Sequence, residues 1–280
     1  MEKIGEGGEA EVFALDADRV LRRWRRDHPS IGARIGFTQE VAAGASDLDF
    51  AVPKILDHHV DEEGRPCFVE RRLPGRSMTE ALDSVTGAQR TALLTSYLET
   101  ACALREIAFD RPWFGEVIAE PPLRSETWRG YLEAALDRQV AAADADAYPS
   151  VDIEALADSL REEIAAADEP VPSLLHFDYF PGNVLCDDTR ITAVIDWSVL
   201  SIVGDPDLDV ALAVAYFAVT PTAAADDISF SWSWLRDRGL ADRARFHERW
   251  GAAWWLPHSE DENIRSFVAG VLDPPRRAES

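Results

Sequence analysis

The chain of 280 residues sets 51 acidic side chains against 28 basic ones, a formal charge of −23, and is 46% hydrophobic. It has enough apolar residues for the core of one large domain or two modest lobes, while its charge repels phosphate backbones and anionic membrane surfaces. Nucleic acid and membrane are therefore excluded as partners; the same charge favours a cationic ligand, or serves solubility alone. The apolar runs end well before about 18 residues, and MEKIGEGGEAEVF has neither the basic start nor the apolar centre of a signal peptide, so a cytoplasmic location is expected; a monomer is expected as well. Cys67, Cys102 and Cys186 are widely spaced and form no Cys-x-x-Cys pair, which indicates neither a disulfide frame nor structural zinc.

In chain order, EAEVFAL (9–15) alternates apolar and polar residues, DADR turns, and RVLRRW (19–24) reads as the return strand of a hairpin. FTQEVAAGA (37–45) has helical character. AVPKILDH (51–58) and RPCFVERRL (65–73) are two further strands around the turn-forming DEEG. After LPGRS (73–77) helices dominate: Leu94, Tyr97, Leu98, Ala101 and Leu104 mark one apolar face, and Ile153, Leu156, Leu160 and Ile164 another. The alanine-rich, acidic stretch 141–150 has little to bury and reads as a helix end or loop. VPSLLHFDYFPGNVLCDDTRITAVIDW (171–197) returns to short β-branched runs around turns, and a helical segment rich in tryptophan follows. These features predict an α+β protein with a strand-rich start and a larger helical remainder.

The chemistry gathers in 174–197. His176, Asp178 and Asn183 share one tight loop, and Asp196 ends the next apolar strand. An Asp and an Asn on a loop facing a second Asp can offer one carboxylate to a hydroxyl and two oxygen ligands to a hard cation such as Mg²⁺, which is what phosphoryl transfer needs. Each of these residues taken alone reads equally well as a turn or cap residue; the set, in this order, points to a site.

His176-x-Asp178-x-x-x-x-Asn183, followed by Ile195-Asp196-Trp197 and by GDPDLDVA (204–211), resembles the Brenner-type motif of the aminoglycoside phosphotransferase and choline kinase-like family. That resemblance covers nearly the whole chain. It implies the bilobal protein-kinase-like fold, with residues 1–75 as a strand-rich N-lobe and 76–280 as a helical C-lobe. It implies Asp178 as catalytic base, Asn183 and Asp196 as Mg²⁺ ligands, His176 as a brace, and structural roles for Asp205 and Asp209. ATP or GTP would be the phosphate donor and a small-molecule hydroxyl the acceptor.

Under the same resemblance, Gly5-x-Gly7-x-x-Ala10-x-Val12 is similar to the kinase glycine-rich loop, with Ala10 at the third glycine; glycines let backbone N–H groups approach phosphate. The family's third-strand lysine has no counterpart, since the only lysines are Lys3 and Lys54. In RVLRRW, Val20 and Arg22 share a face, and Val20 suits the small apolar position over adenine, so Arg22 is assigned as the phosphate clamp, with Glu40 on the following helix as its partner. Arginine grips phosphate by two parallel bonds but is larger than an ammonium. Phe68 to Gly75 resembles the hinge between lobes, with the Glu70 carbonyl and the Arg72 N–H as adenine contacts and side chains nearly irrelevant.

Only 197–203 separates Ile195-Asp196-Trp197 from Gly204-Asp205, too few residues for a polypeptide-docking activation segment, and no P-loop motif is present. The expected acceptor is an aminoglycoside or similar cationic antibiotic. The alternatives are a macrolide walled by the C-terminal tryptophans, a metabolite such as choline, homoserine or a ketosamine, and a catalytically weak nucleotide-binding pseudokinase. Glu260, Asp261 and Glu262 either belong to the acceptor site or start an exposed helix.

Overall fold

The structure is a computed structural model that describes residues 1–7, 9–26 and 31–272; positions 273–280 of the expected C-lobe lie outside the described residues. Strands β1 (Glu2–Glu6), β2 (Ala10–Ala14) and β3 (Arg19–Trp24) form a meander, followed by helix α1 (Ile31–Gly44), β4 (Ile55–Val60) and β5 (Pro66–Arg71). The five strands make one antiparallel sheet in the order β1-β2-β3-β5-β4. Its register sets Val20 opposite Glu70 and Arg22 opposite Phe68. Side chains alternate between the faces of a strand, so Val20, Arg22 and Glu70 point to the same side. Helix α1 starts six residues before the predicted stretch and buries Phe37 and Val41 in a core shared with Tyr97, Leu98 and Leu104 of the helical region.

The chain then passes Gly75, whose φ of +107° favours glycine. A Cβ there would lie 2.6 Å from Thr192 Oγ1 and 2.8 Å from the Cys186 carbonyl oxygen, which explains the glycine in LPGRS: the crossing strand lies directly on its neighbours. The short strand β6 (Arg76–Ser77) and helices α2 (Met78–Leu82) and α3 (Gly87–Ala103) follow. Next come β7 (Phe114–Glu116), β8 (Arg124–Ser125), α4 (Trp128–Ala142) and α5 (Ile153–Ala166). The stretch 141–150 is the end of α4 plus a single 3₁₀ turn, in keeping with its polar composition.

Strands β9 (Ser173–Leu175), β10 (Val184–Cys186), β11 (Ile191–Val194) and β12 (Ile202–Gly204) carry the motif-bearing loops. Helices α6 (Asp207–Ala215), α7 (Ala225–Asp237), α8 (Ala241–Trp254) and α9 (Glu262–Leu272) complete the described chain. β11, β10 and β6 form one small sheet, and β8, β7, β12 and β9 another. Helix α6 is buried along its whole length, and Trp250, Trp254 and Trp255 pack with Trp128, Phe177 and Tyr216. At roughly 1.5–3 kcal/mol per buried large apolar side chain, this core anchors the loop that follows β9 through Phe177. The architecture is α+β, an antiparallel N-terminal sheet joined to a helical C-terminal part. Cys67 and Cys186 are buried free thiols, and Cys102 is partly exposed.

Candidate active site

The loop after β9 is gripped from below. Asp209, fully buried on α6, accepts from the backbone N–H groups of His176 and Phe177 at 2.7 and 2.8 Å. This holds Phe177 at φ +67°, a costly conformation for an aromatic residue. His176 donates from Nε2 to the Ile195 carbonyl at 2.8 Å, tying the loop to the end of β11; burial pushes its pKa down to about 4, so the ring is a neutral brace. Asp205 caps α6 through the Asp207 N–H and accepts from Arg243 and His247, a structural role.

The motif carboxylates sit on this frame. Asn183 Nδ2 donates to both the carbonyl and Oδ2 of Asp178 at 2.9 Å, and the Asn183 carbonyl accepts from the Ile195 N–H at 2.9 Å. Asn183 is therefore bound to the loop on one side and to the approach to Asp196 on the other. Asp196 follows β11 at φ +64° with half its side chain open to solvent. Burial, then the nearby Asp196 charge, push the Asp178 pKa up to about 7, although the Asn183 hydrogen bond works against the shift. With its Nδ2 turned to Asp178, Asn183 has Oδ1 left over, and no described residue bonds to it. That oxygen and the Asp196 carboxylate are the hard donor set that suits Mg²⁺, which keeps several waters and substrate oxygens as its other ligands.

Arg22 reaches this group from the sheet. Its Nε donates to Glu70 Oε1 at 3.0 Å and its Nη1 lies 3.5 Å from Asp196 Oδ1. Glu70, then Asp196, hold the guanidinium pKa above the usual arginine value despite its burial. The cavity beside it is small, about 20 Å³, and is bounded by Arg22, Trp24, Thr38, Phe68, Glu70 and Asp196. Arg23 points to the opposite face, bonded to Glu11 at 2.7 Å and lying over the Phe13 ring. Val20 is buried on Arg22's face. Gly5 lies within β1, and Gly7 donates its N–H to the Ala10 carbonyl at 2.9 Å in the β1–β2 turn.

Three expectations are corrected. Glu40 does not partner Arg22: both of its oxygens are held by Arg111 at 2.7 Å, while Glu70 takes the arginine because the β3–β5 register places the two side chains on one face. The Glu70 side chain is consequently far from irrelevant, being 6% exposed and the principal counter-charge of Arg22. The Arg72 N–H is not free for a base, because it donates to the Asp18 carbonyl at 2.7 Å, one pair beyond the β3–β5 ladder. The acidic run is also accounted for: Asp261 caps α9 through the Asn263 and Ile264 N–H groups, and Glu260 is an exposed neighbour of His258.

On the other side of Asp178 lies a cavity of about 320 Å³; of the C-terminal tryptophans that the sequence offered as walls of an apolar pocket, Trp255 lines it. Its walls come from Thr79 on α2, Phe180, the Tyr216–Pro221 turn, Trp255 and helix α9. These residues are scattered over most of the C-terminal part, so no local pattern announces them. Asp178 thus stands between a largely apolar pocket, open to solvent on one side, and the Asn183–Asp196 pair.

A family model described as the phosphotransferase enzyme family matches residues 1–259. Among solved structures, aminoglycoside phosphotransferase APH(4)-Ia is 21% identical with a TM-score of 0.71, covering 97% of this chain and 92% of its own. A thermostable mutant of it in ternary complex with AMP-PNP and hygromycin B is 20% identical at TM-score 0.71, over 97% and 92% of the two chains. The streptomycin–ATP complex of APH(2'')-IIa is 15% identical at TM-score 0.62, over 97% and 90%. No curated protein sequence matches. Among the described residues no helix is long and apolar enough to cross a membrane. At these identities the solved structures speak for the fold, and the match over residues 1–259 shows that the chain belongs to the phosphotransferase enzyme family.

Proposed function

We propose that the protein transfers the γ-phosphoryl group of ATP or GTP, as its Mg²⁺ complex, to a hydroxyl of a small molecule. The observation that carries this reading is the position of Asp178, which lines the 320 Å³ pocket and is hydrogen-bonded to Asn183 beside Asp196. Asp178 accepts the proton of the acceptor hydroxyl as its oxygen forms a bond to the γ-phosphorus and the bond from that phosphorus to the bridging oxygen of the nucleoside diphosphate breaks. A carboxylate pKa near 7 is well matched to that task at neutral pH. Asn183 Oδ1 and the Asp196 carboxylate would hold Mg²⁺, which would neutralise phosphate charge. Arg22 is the cationic clamp for the phosphates, braced by Glu70. Gly5 and Gly7 belong to the turn that lies over the phosphates, and Val20 to the floor under the base. The lobes divide near Gly75, and the protein works as a cytoplasmic monomer without nucleic acid or membrane.

The test is release of nucleoside diphosphate with a panel of hydroxyl compounds, for wild type and Asp178→Asn. Acceptor-dependent release that Asp178→Asn abolishes is expected; release that is unchanged in the variant refutes the assignment. A second reading, a nucleotide-binding protein with little turnover, is favoured by the Arg22–Asp196 contact and by Ala10 at the third glycine. It predicts an ATP-induced thermal shift without turnover on any acceptor.

A further inference from the structure

We infer that the acceptor is a neutral or singly charged alcohol whose ring-bearing carbon body fills the pocket beside Asp178, and not a polycation. This rests on the phosphotransferase reading and specifies the substrate class of the same site. The inward walls are Phe180, Tyr216, Val219, Trp255, Ile264 and Phe267. Their polar atoms are largely engaged elsewhere. The Tyr216 hydroxyl donates to the Phe177 carbonyl at 3.4 Å and accepts from Trp255 Nε1 at 3.3 Å, and the Thr220 hydroxyl donates to the Tyr216 carbonyl at 2.8 Å. What faces the cavity is therefore aromatic and aliphatic carbon, whose coverage by an apolar ligand contributes about 25 cal/mol per Å².

Among the described residues Asp178 is the single carboxylate in that lining. A polycation would set several ammonium groups against these apolar walls, and each one that loses its hydration there costs several kcal/mol without a charged partner. Among the described residues the acids of 260–262 stay out of the lining: Asp261 is committed to the start of α9, and Glu260 and Glu262 are exposed. Two polar groups do remain for a ligand. The Thr79 hydroxyl and the Asn263 side-chain amide line the cavity, and no described residue hydrogen-bonds to either. Two such anchors plus Asp178 in an apolar cavity are the arrangement that orients a drug-sized ligand and presents one hydroxyl. The volume, about 320 Å³, equals that of roughly ten waters, which is too large for a small ammonium alcohol to fill even though aromatic faces attract such cations.

The whole protein with MgATP, and separately MgGTP, is assayed for diphosphate release with a macrolide carrying one amine at most, a neutral polycyclic alcohol, gentamicin and choline. Tryptophan fluorescence titration of the same four compounds gives binding independent of turnover. The expected result is that the macrolide or the polycyclic alcohol binds and turns over at least tenfold better than gentamicin or choline, with a kcat/KM flat in salt once the nucleotide's own salt response is subtracted. Ile264→Asp is expected to weaken that acceptor at least tenfold with the nucleotide KM unchanged, and Ile264→Leu to restore it. Preference for gentamicin with a steep salt dependence, preference for choline, or no binding of either apolar compound overturns the inference. The phosphotransferase reading is judged separately, by Mg²⁺-dependent nucleotide binding and by slow nucleotide hydrolysis in the absence of acceptor, both of which must disappear in Asp196→Asn.

Discussion

Replacing Asp178 by asparagine should make the protein more stable while removing its activity. The carboxylate is only partly open to water, stands at the end of an apolar pocket and faces Asp196, and its pKa is raised from 3.8 to about 7. That rise corresponds to about 4 kcal/mol of penalty on the ionised form. The pocket admits solvent, and screening brings the expected figure to about 2 kcal/mol. An amide keeps the hydrogen bond from Asn183 Nδ2, since its own carbonyl can accept it, and carries no charge to desolvate. For 280 residues, at about 2 cal/mol/K of unfolding entropy per residue, about 2 kcal/mol raises Tm by about 3 °C. The sign with pH follows from linkage. The folded pKa lies above the unfolded one, so the wild type carries no penalty below about pH 4, loses stability as pH rises toward 7, and carries the full penalty above it. The gain in the variant should therefore be absent at pH 4 and complete at pH 8. Differential scanning calorimetry of both proteins in EDTA, without nucleotide, measures it, while diphosphate release should fall by about 10² to 10⁴. A variant that melts below wild type at pH 8, or a Tm difference that does not change with pH, would refute the reasoning from desolvation.

Glu70→Gln should lower apo stability by about 1–3 kcal/mol and raise the nucleotide KM severalfold, because Arg22 loses its principal counter-charge and is left to Asp196; Glu40→Gln should do neither, and a nucleotide titration showing the reverse order would restore α1 as the brace. Asp196→Asn should abolish the Mg²⁺ dependence of the nucleotide-induced thermal shift, while retention of that dependence would remove Asp196 from the metal site. Gly75→Ala should cost at least about 2 kcal/mol in urea unfolding, since a Cβ would meet Cys186 backbone and Thr192 within 2.8 Å at a φ of +107°; a neutral result would mean that the crossing strand can shift.

The local signals in this chain were sufficient for the motif loop. His176, Asp178 and Asn183 lie within eight consecutive positions, and one short hairpin brings Asp196 beside them, so chain connectivity alone places them together. Alternation along RVLRRW likewise separates Arg22 from Arg23 without reference to any other element. The partner of Arg22 was a different matter. Choosing between Glu40 and Glu70 depends on strand register and on Arg111, a residue far along the chain that reaches back to α1, and neither is visible in a local pattern. The Arg72 N–H was lost to Asp18 for the same reason, a ladder one pair longer than the strand pattern suggested. Composition could not choose the acceptor, because net charge sums over the whole surface, whereas recognition depends on which side chains line one cavity. Thr79, Phe180, Tyr216, Trp255, Asn263 and Phe267 meet there only because α2 packs on the motif loop while α9 packs on α8 and on the Tyr216–Val219 turn that follows α6, and that convergence is a property of packing at long range.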